Sequence, residues 1–439
     1  MRNKLITLLF VLLIAGSSFG LTIQQSVDLA LKQNPSVLAS QKKVAAADAK
    51  LRQAVGTFAP TIKLDGNLGK TYSQPSIFPV TVQTTAGAVT QNFILGVNDT
   101  ADLKGASASF TQPIFVAALV PGLKIAQKNS EFVREDYRKT VLDTTYNVTK
   151  AYYGVLLAHK MYDLSVQSKA MANSHLGQIK ALFTAGVSTK ADLLRTEVQL
   201  ANSEVAMTKA MNSLEIAKNT FNNAVGNDLG ESVVLADIEI GASLSKVPSY
   251  DELSKAAFLN RPDWKQYVLL EQIGEENVAL ARTAYLPSVM ASGNTSNQST
   301  DYPSLKSTVN SWQVTGAATW TLFDGFGIQN KISEASANLE AQKAGEEATR
   351  NGIMLDVRNA YFNLKSALET IGSNKKAVES AQENYKVSDL RYNSGVGTNL
   401  EVIDAQVALT SAQINYAQAN FDLELAKAKI NNVVGSNFF

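Results

Sequence analysis

A mainly α fold with added β-strands, in which duplicated long-helix hairpins carry four strands per subunit, is predicted by three observations. The stretch Phe183-Thr184-Ala185-Gly186-Val187-Ser188-Thr189-Lys190-Ala191-Asp192 recurs 209 residues later as Tyr392-Asn393-Ser394-Gly395-Val396-Gly397-Thr398-Asn399-Leu400-Glu401. The same offset relates Ala151-Tyr152-Tyr153 to Ala360-Tyr361-Phe362 and Asn223-Ala224-Val225-Gly226 to Asn432-Val433-Val434-Gly435, so the chain is a duplication. Around each repeated Gly, apolar residues recur at alternating spacings of four and three, the pattern of packed helices.

Composition excludes several classes. Lys and Arg number 40 against 39 Asp and Glu, which gives no charge excess for nucleic acid. Residues 1–20 have a basic start, an apolar run from Leu5 to Ala15 and Ser18-Phe19-Gly20, the form of an export signal peptide. Cys is absent, so disulfides, thiolate metal sites and a lipid-modified Cys are excluded.

The expected organisation is a signal peptide over 1–20, a first repeat over 21–226, a connector over 227–249, a second repeat over 250–435 and a tail over 436–439. Each repeat opens with a helical stretch, Thr22 to Thr57 and Tyr250 to Tyr285, broken before Pro35 and Pro262, because the residue before Pro disfavours the helix. Pro60 and Pro287 end these stretches.

Strands are expected next, at Thr61–Tyr72 and Gly105–Phe115 in the first copy and Ser288–Thr300 and Ser311–Phe323 in the second. They are rich in Thr, Ser and Gly; the last three are free of charge, while Thr61–Tyr72 carries Lys63, Asp65 and Lys70. A tilted membrane strand needs roughly 9 to 11 residues. The offset falls from 227 at Gly66/Gly293 to 208 at Phe115/Phe323, which predicts a longer exposed loop in the first hairpin.

Long helices follow, about Ile125 to Leu182 and about Gln329 to Arg391. Val141, Thr145, Val148, Tyr152, Val155, His159, Tyr162 and Val166 define one seam, and Met354, Val357, Tyr361, Leu364, Leu368 and Ile371 the other. His159 on its seam is expected to be a core histidine. The repeated Gly reverses each helix, since Gly tolerates the left-handed backbone that ends one, and Thr189 and Thr398 can cap the return. The returning helices, about Thr189 to Val225 and Thr398 to Val434, carry apolar residues seven apart. A short β-like piece is expected at Ser232–Ile238, in a connector packed against the helices.

Four strands cannot close a barrel, and an open edge in hydrocarbon leaves backbone groups unpaired at several kcal/mol each. Barrels begin at about 8 strands, whose interior side chains fill, so a lumen requires more. Three chains sharing one transmembrane barrel, a homotrimer of 12 strands in outer-membrane lipid, is the expected assembly.

The two-copy plan, Asn34-Pro35, Arg261-Pro262, Leu286-Pro287, Ala360-Tyr361-Phe362, and Tyr392-Asn393-Ser394-Gly395 followed by Val402-Ile403-Asp404-Ala405 resemble the TolC-type outer-membrane efflux channels. The similarity covers about 21 to 435. It implies a trimeric barrel in the outer membrane on a long periplasmic α-barrel, closed at its tips, engaged by a periplasmic adaptor protein and coupled to an inner-membrane transporter.

Site residues follow from the resemblance. Glu401 and Asp404 lie three apart on one helix face and would line the pore constriction, six carboxylates in a trimer, favouring cations. Read without the resemblance, they are acids complementing a helix N-terminus, worth about 0.3 to 1 kcal/mol. Asp192 and Tyr392 would tie the gate, and Gly186, Val187, Gly395 and Val396 would be the adaptor-docking tips. Similar channels often carry a basic residue where this chain has Gly397; Lys190, Arg195 and Arg391 are the candidates to replace it.

No phosphate loop, nucleophile elbow or zinc-binding His-Glu-x-x-His motif is present, and His159 and His175 are too far apart in sequence for a helical ligand pair. Neither catalysis nor a cofactor or metal is expected. The other function class the pattern admits is an exported structural or adhesive coiled coil without transport.

Overall fold

The structure is a computed structural model that describes residues 20–96, 98–236, 247–303 and 305–439. The expected signal peptide up to residue 19, and residues 237–246 of the expected connector, lie outside the described residues. The chain divides into two compact units, Met1–Ala45 with Phe132–Val268 and Ala344–Phe439, and Ala46–Glu131 with Leu269–Lys343. Each unit draws on both sequence copies.

The first unit is helical. Helices α1 (Ile23–Gln33) and α2 (Pro35–Gly56) open the first copy, and α5 (Tyr250–Asn260) and α6 (Pro262–Arg282) open the second. α1 and α5 begin with reciprocal capping boxes, Thr22 with Gln25 and Ser249 with Glu252, which satisfy otherwise unpaired N–H groups. Both end at a residue with extended backbone, Asn34 and Arg261, because Pro35 and Pro262 restrict the residue before them and then start the next helix.

The hairpins are α3 (Leu119–Thr184) with α4 (Lys190–Val225) and α7 (Gly327–Asn393) with α8 (Asn399–Val434). Two apolar cores form from equivalent positions. Val148, Tyr152, Val155, Leu214, Phe221 and Val225 pack with Ala30 of α1, and Val357, Leu364, Leu423, Ile430 and Val434 pack with Ala257 of α5.

Glycines close each hairpin's base. Gly226 and Gly435 end α4 and α8 with φ of +91° and +75°. A Cβ at Gly226 would meet the Asn34 backbone at 3.0 Å, and one at Gly435 the Arg261 backbone at 3.0 Å.

The 4–3 seam of α3 does not continue to its tip in a single frame. Val148, Tyr152 and Val155 are buried, yet His159 is exposed and pairs with Asp163 at 3.1 Å. Further on, Ser165, Ala172, His175 and Ile179 are buried, in a frame shifted by one residue. The buried face of α3 changes with the elements it meets: Val148, Tyr152 and Val155 pack with α1 and α4, whereas Ile179 packs on Leu193 of α4 and His175 meets Asn399 at the start of α8. The core histidine is His175.

The connector bridges back to the chain's start. Leu21 and Leu235 form a parallel β-bridge, and the Tyr152 hydroxyl donates to Leu21 O at 3.1 Å and Ala236 O at 2.9 Å.

The second unit holds the strands β1 (Thr61–Ser73), β2 (Ser76–Thr84), β3 (Gly87–Leu95), β4 (Asp99–Val116), β5 (Ser288–Asp301) and β6 (Lys306–Thr319). A four-stranded antiparallel sheet runs β1-β4-β5-β6, with a bulge between Pro113 and Phe115. The expected long loop of the first copy contains a second sheet, the hairpin β2-β3. Its Ile, Val and Phe content favours strands, and Gly87 at φ +122° makes the turn. β6 ends at Thr319, short of the expected Phe323, because its partner β5 begins at Ser288 after Pro287, which has no N–H to extend the ladder.

Register sorts the four-stranded sheet into two faces. Ile62 pairs with Phe110, Phe110 with Gly293 and Gly293 with Val314, while Leu64 connects through Ala108 and Thr295 to Trp312. The opposite face runs from Asp65 through Ser107 and Ser296 to Ser311, and from Lys63 through Ser109 and Asn294 to Gln313. One face is predominantly apolar near these rows and the other polar. Leu64, Leu68 and Trp312 are more than three-quarters exposed.

Candidate functional site

The two tips are built by the same hydrogen bonds, 209 residues apart. In the first, Gly186 N–H donates to Phe183 O at 3.0 Å and Val187 N–H to Leu182 O at 2.9 Å; in the second, Gly395 N–H donates to Tyr392 O at 3.0 Å and Val396 N–H to Arg391 O at 3.0 Å. Gly186 and Gly395 adopt φ of +76° and +77°, the left-handed backbone that takes up the last helix carbonyls. Nothing crowds either glycine. Val187 and Val396 are exposed at 74% and 69%.

Thr189 and Thr398 cap the returning helices, their hydroxyls accepting from Asp192 N–H at 3.1 Å and Glu401 N–H at 3.3 Å. This cap fixes the backbone from which both acids project. The Asp192 carboxylate also accepts from the Thr189 hydroxyl at 2.6 Å and, more weakly, from the Asn399 amide at 3.5 Å. The Thr189 bond, with the Asn399 bond and the charge of Arg195, holds Asp192 below the ordinary carboxylate value against the opposing effect of burial.

Tyr392 crosses from the second hairpin to the first. It packs with Leu200 against Leu176, Ile179 and Leu193, and its ring meets His175 edge-on at 5.6 Å. Burial and the negative charge of Asp192 raise its hydroxyl pKa. Asp192 and Tyr392 are thus brought to one junction.

Glu401 and Asp404 are both exposed on one side of α8, away from the buried Val402, Ile403, Ala405 and Gln406. The structure also resolves which basic residue stands near Glu401. Arg391 Nε lies 3.7 Å from Glu401 Oε2, and its Nη2 donates to Val396 O at 3.4 Å. Lys190 instead sits over the Phe183 ring, 5.7 Å from its centre. Gly397 has no room for a side chain in this turn: a Cβ would come 2.9 Å from Tyr392 N and 3.1 Å from Arg391 C.

Three further residues complete the junction and are not evident in the sequence pattern. The Asn399 amide donates to Asp192 O at 3.2 Å and Thr196 Oγ1 at 3.1 Å, while its oxygen accepts from His175 Nε2 at 2.7 Å. The one signal for them is asymmetry between the copies: Asn399 stands where the first copy has Lys190, and His175 where the second has Asn384. Among the described residues no cluster of His, Asp and Glu could hold a metal ion.

The outer membrane efflux protein family matches residues 26–227 and 253–436. Outer membrane protein TolC of Vibrio cholerae is 24% identical over 341 residues, covering 76% of this chain and 77% of its own. The fold is shared with the solved structure of CusC, at TM-score 0.79 and 16% identity over 97% of this chain and 95% of that one. It is shared also with the outer membrane protein VceC from Vibrio cholerae, at TM-score 0.76 and 15% identity over 95% and 97%. With both halves of its duplication matched, the chain belongs to the outer membrane efflux protein family.

Proposed function

We propose that the mature chain is the outer-membrane exit duct of a tripartite efflux pump or a type I secretion system, a passive conduit gated at its periplasmic helical tips. The observation that carries this reading is the four-stranded sheet. Its strands of 13, 18, 14 and 14 residues exceed the roughly 9 to 11 needed to cross a bilayer. Its faces separate Ile62, Leu64, Phe110, Trp312 and Val314 from Lys63, Asp65, Ser107, Asn294 and Gln313, the lipid-out, water-in alternation of a membrane barrel.

β1 and β6 are the sheet's edges. Pairing β1 of one copy with β6 of the next satisfies both in hydrocarbon, and three copies give a lumen where two would give a filled tube. The family is one of non-enzymatic channels, which accords with a duct whose energy comes from an inner-membrane transporter through an adaptor at Gly186, Val187, Gly395 and Val396. In the assembled trimer Glu401 and Asp404 form the constriction ring, and Asp192 and Tyr392 tie the gate.

The test is the native mass of the mature protein extracted from outer membranes in mild detergent. A trimer that aggregates without detergent supports the shared barrel. A detergent-independent soluble monomer overturns it and leaves an exported coiled coil.

A further inference from the structure

We propose that Asn399 and His175 form a buried clasp that latches the second hairpin to the first and positions both gate ties; the inference deepens, and rests on, the exit-duct reading. Asn399 opens α8 yet is only 3% exposed, and the first hairpin supplies the partners for its amide: His175 of α3 and Asp192 and Thr196 of α4. His175 is itself 4% exposed.

The donor pattern is determined. Asn399 Nδ2 faces the Asp192 carbonyl and the Thr196 hydroxyl, both able to accept, so its oxygen faces His175. His175 Nε2 therefore carries a proton and donates it to Asn399 Oδ1 at 2.7 Å. The Thr196 hydroxyl donates to the Asp192 carbonyl at 2.8 Å, closing the group.

Separating the start of α8 from α3 and α4 breaks these bonds together, and buried polar groups that lose their partners carry the full cost of desolvation unless water reaches them. The clasp therefore favours one relative placement of the two hairpins over a continuum of placements. It holds the ties as well: the amide binds Asp192 through its backbone and carboxylate, and the His175 ring supports the Tyr392 ring at 5.6 Å. Asn399 and His175 are positioning residues; they act on the gate through Asp192 and Tyr392.

The experiment uses the full-length mature assembly in planar bilayers, with native mass measured beside open fraction. Asn399→Leu, which removes the bonds to His175, Asp192 and Thr196 while keeping a side chain of similar size, is expected to raise the open fraction at least roughly tenfold, the effect of losing even one buried hydrogen bond, with native mass unchanged. His175→Leu is expected to do the same and the double variant no more than either, since the two residues act as one unit. His175→Gln keeps an N–H to donate and is expected to restore closure.

A closed Asn399→Leu channel, additive single effects, or a His175→Gln channel as leaky as His175→Leu would each overturn the clasp. Should Asn399→Leu fail to assemble, Thr196→Val removes only a hydroxyl; a raised open fraction supports the clasp and a closed channel overturns it. A parent that never conducts overturns the duct reading and the clasp with it. A conducting parent with a closed Asn399→Leu variant overturns the clasp alone.

Discussion

Arg391 Nε stands 3.7 Å from Glu401 Oε2 across the turn of the second tip. Both side chains are about half exposed, so the pair contributes at most about 1 kcal/mol to stability. Its larger consequence is for charge at the proposed constriction. Arg391→Gln should leave the thermal midpoint nearly unchanged while increasing cation over anion permeability, because the carboxylates lose their neighbouring cation. Glu401→Ala with Asp404→Ala should lower that ratio and weaken divalent-cation block. Reversal potentials in a salt gradient measure both, and ratios that stay fixed in both variants would remove this face from the pore.

Asp192 gives a pH dependence whose sign is set by its partners. The Thr189 hydroxyl foremost, with Asn399 and Arg195, holds the carboxyl below its ordinary value despite burial. The stabilisation from the ionised form is therefore present above the unfolded value, about 3.9, and is lost as pH falls through the lower folded value. Asp192→Asn should leak more than the parent at neutral pH, and the two should converge as the medium is acidified below the folded value of Asp192. Leak recorded across that range tests it; a difference that persists after acidification would assign the effect to packing.

Gly186 and Gly395 share their left-handed backbone with Gly226 and Gly435, yet only the latter two touch another chain segment. Alanine at any of the four meets the backbone penalty of about 1 to 2 kcal/mol. At Gly226 and Gly435 a methyl also pushes on backbone 3.0 Å away, which cannot yield as a flexible side chain does. Thermal unfolding of the detergent-solubilised protein should therefore show a larger loss for Gly226→Ala and Gly435→Ala than for Gly186→Ala and Gly395→Ala. Equal losses would mean that the contact at the hairpin base relaxes freely.

Much of this architecture is legible because the duplication states it twice. Equivalent residues such as Tyr152 and Tyr361, or Gly226 and Gly435, occur at equivalent places in the structure, and Pro35 and Pro262 mark the helix breaks directly. What one copy has alone is harder to read. The hairpin β2-β3 has no counterpart to align with, and its polar Thr and Gln between apolar residues resemble a long loop. His159 misleads because a seam read along one helix assumes the same partner throughout, and His175 is concealed because its partner, Asn399, belongs to the other hairpin. Asn399 is hidden by its position beside a capping Thr, where Asn ordinarily signals nothing beyond a helix start. The acids at the tips are legible as acids, whereas their partners, Arg391 for Glu401 and Asn399 for Asp192, depend on tertiary placement that no local spacing encodes.

Arg261 and Asn34 occupy equivalent places before Pro262 and Pro35 and reach for equivalent carbonyls. Asn34 Nδ2 donates to Ala224 O at 2.8 Å, and Arg261 Nη1 to Val433 O at 3.4 Å. Arg261 also grips Asp263 through two bonds, at 2.9 and 2.6 Å, and reaches Asp356 at 3.2 Å. Burial acts to raise the Asp263 pKa, but the hydrogen bonds and charge of Arg261 prevail and lower it. Arg261→Asn would copy the first repeat and can keep a bond to Val433, yet it leaves the half-buried Asp263 without its cation, at a cost of about 2 kcal/mol. Adding Asp263→Asn removes the stranded charge and should recover much of that loss. Because a depressed carboxyl value stabilises above the unfolded value and not below the folded one, the deficit of Arg261→Asn should shrink as pH falls through the carboxylate range. Unfolding midpoints of the parent, the single and the double variant against pH provide the measurement. A double variant no more stable than Arg261→Asn would show that the carbonyl contact, and not the ion pair, holds the second hairpin's base.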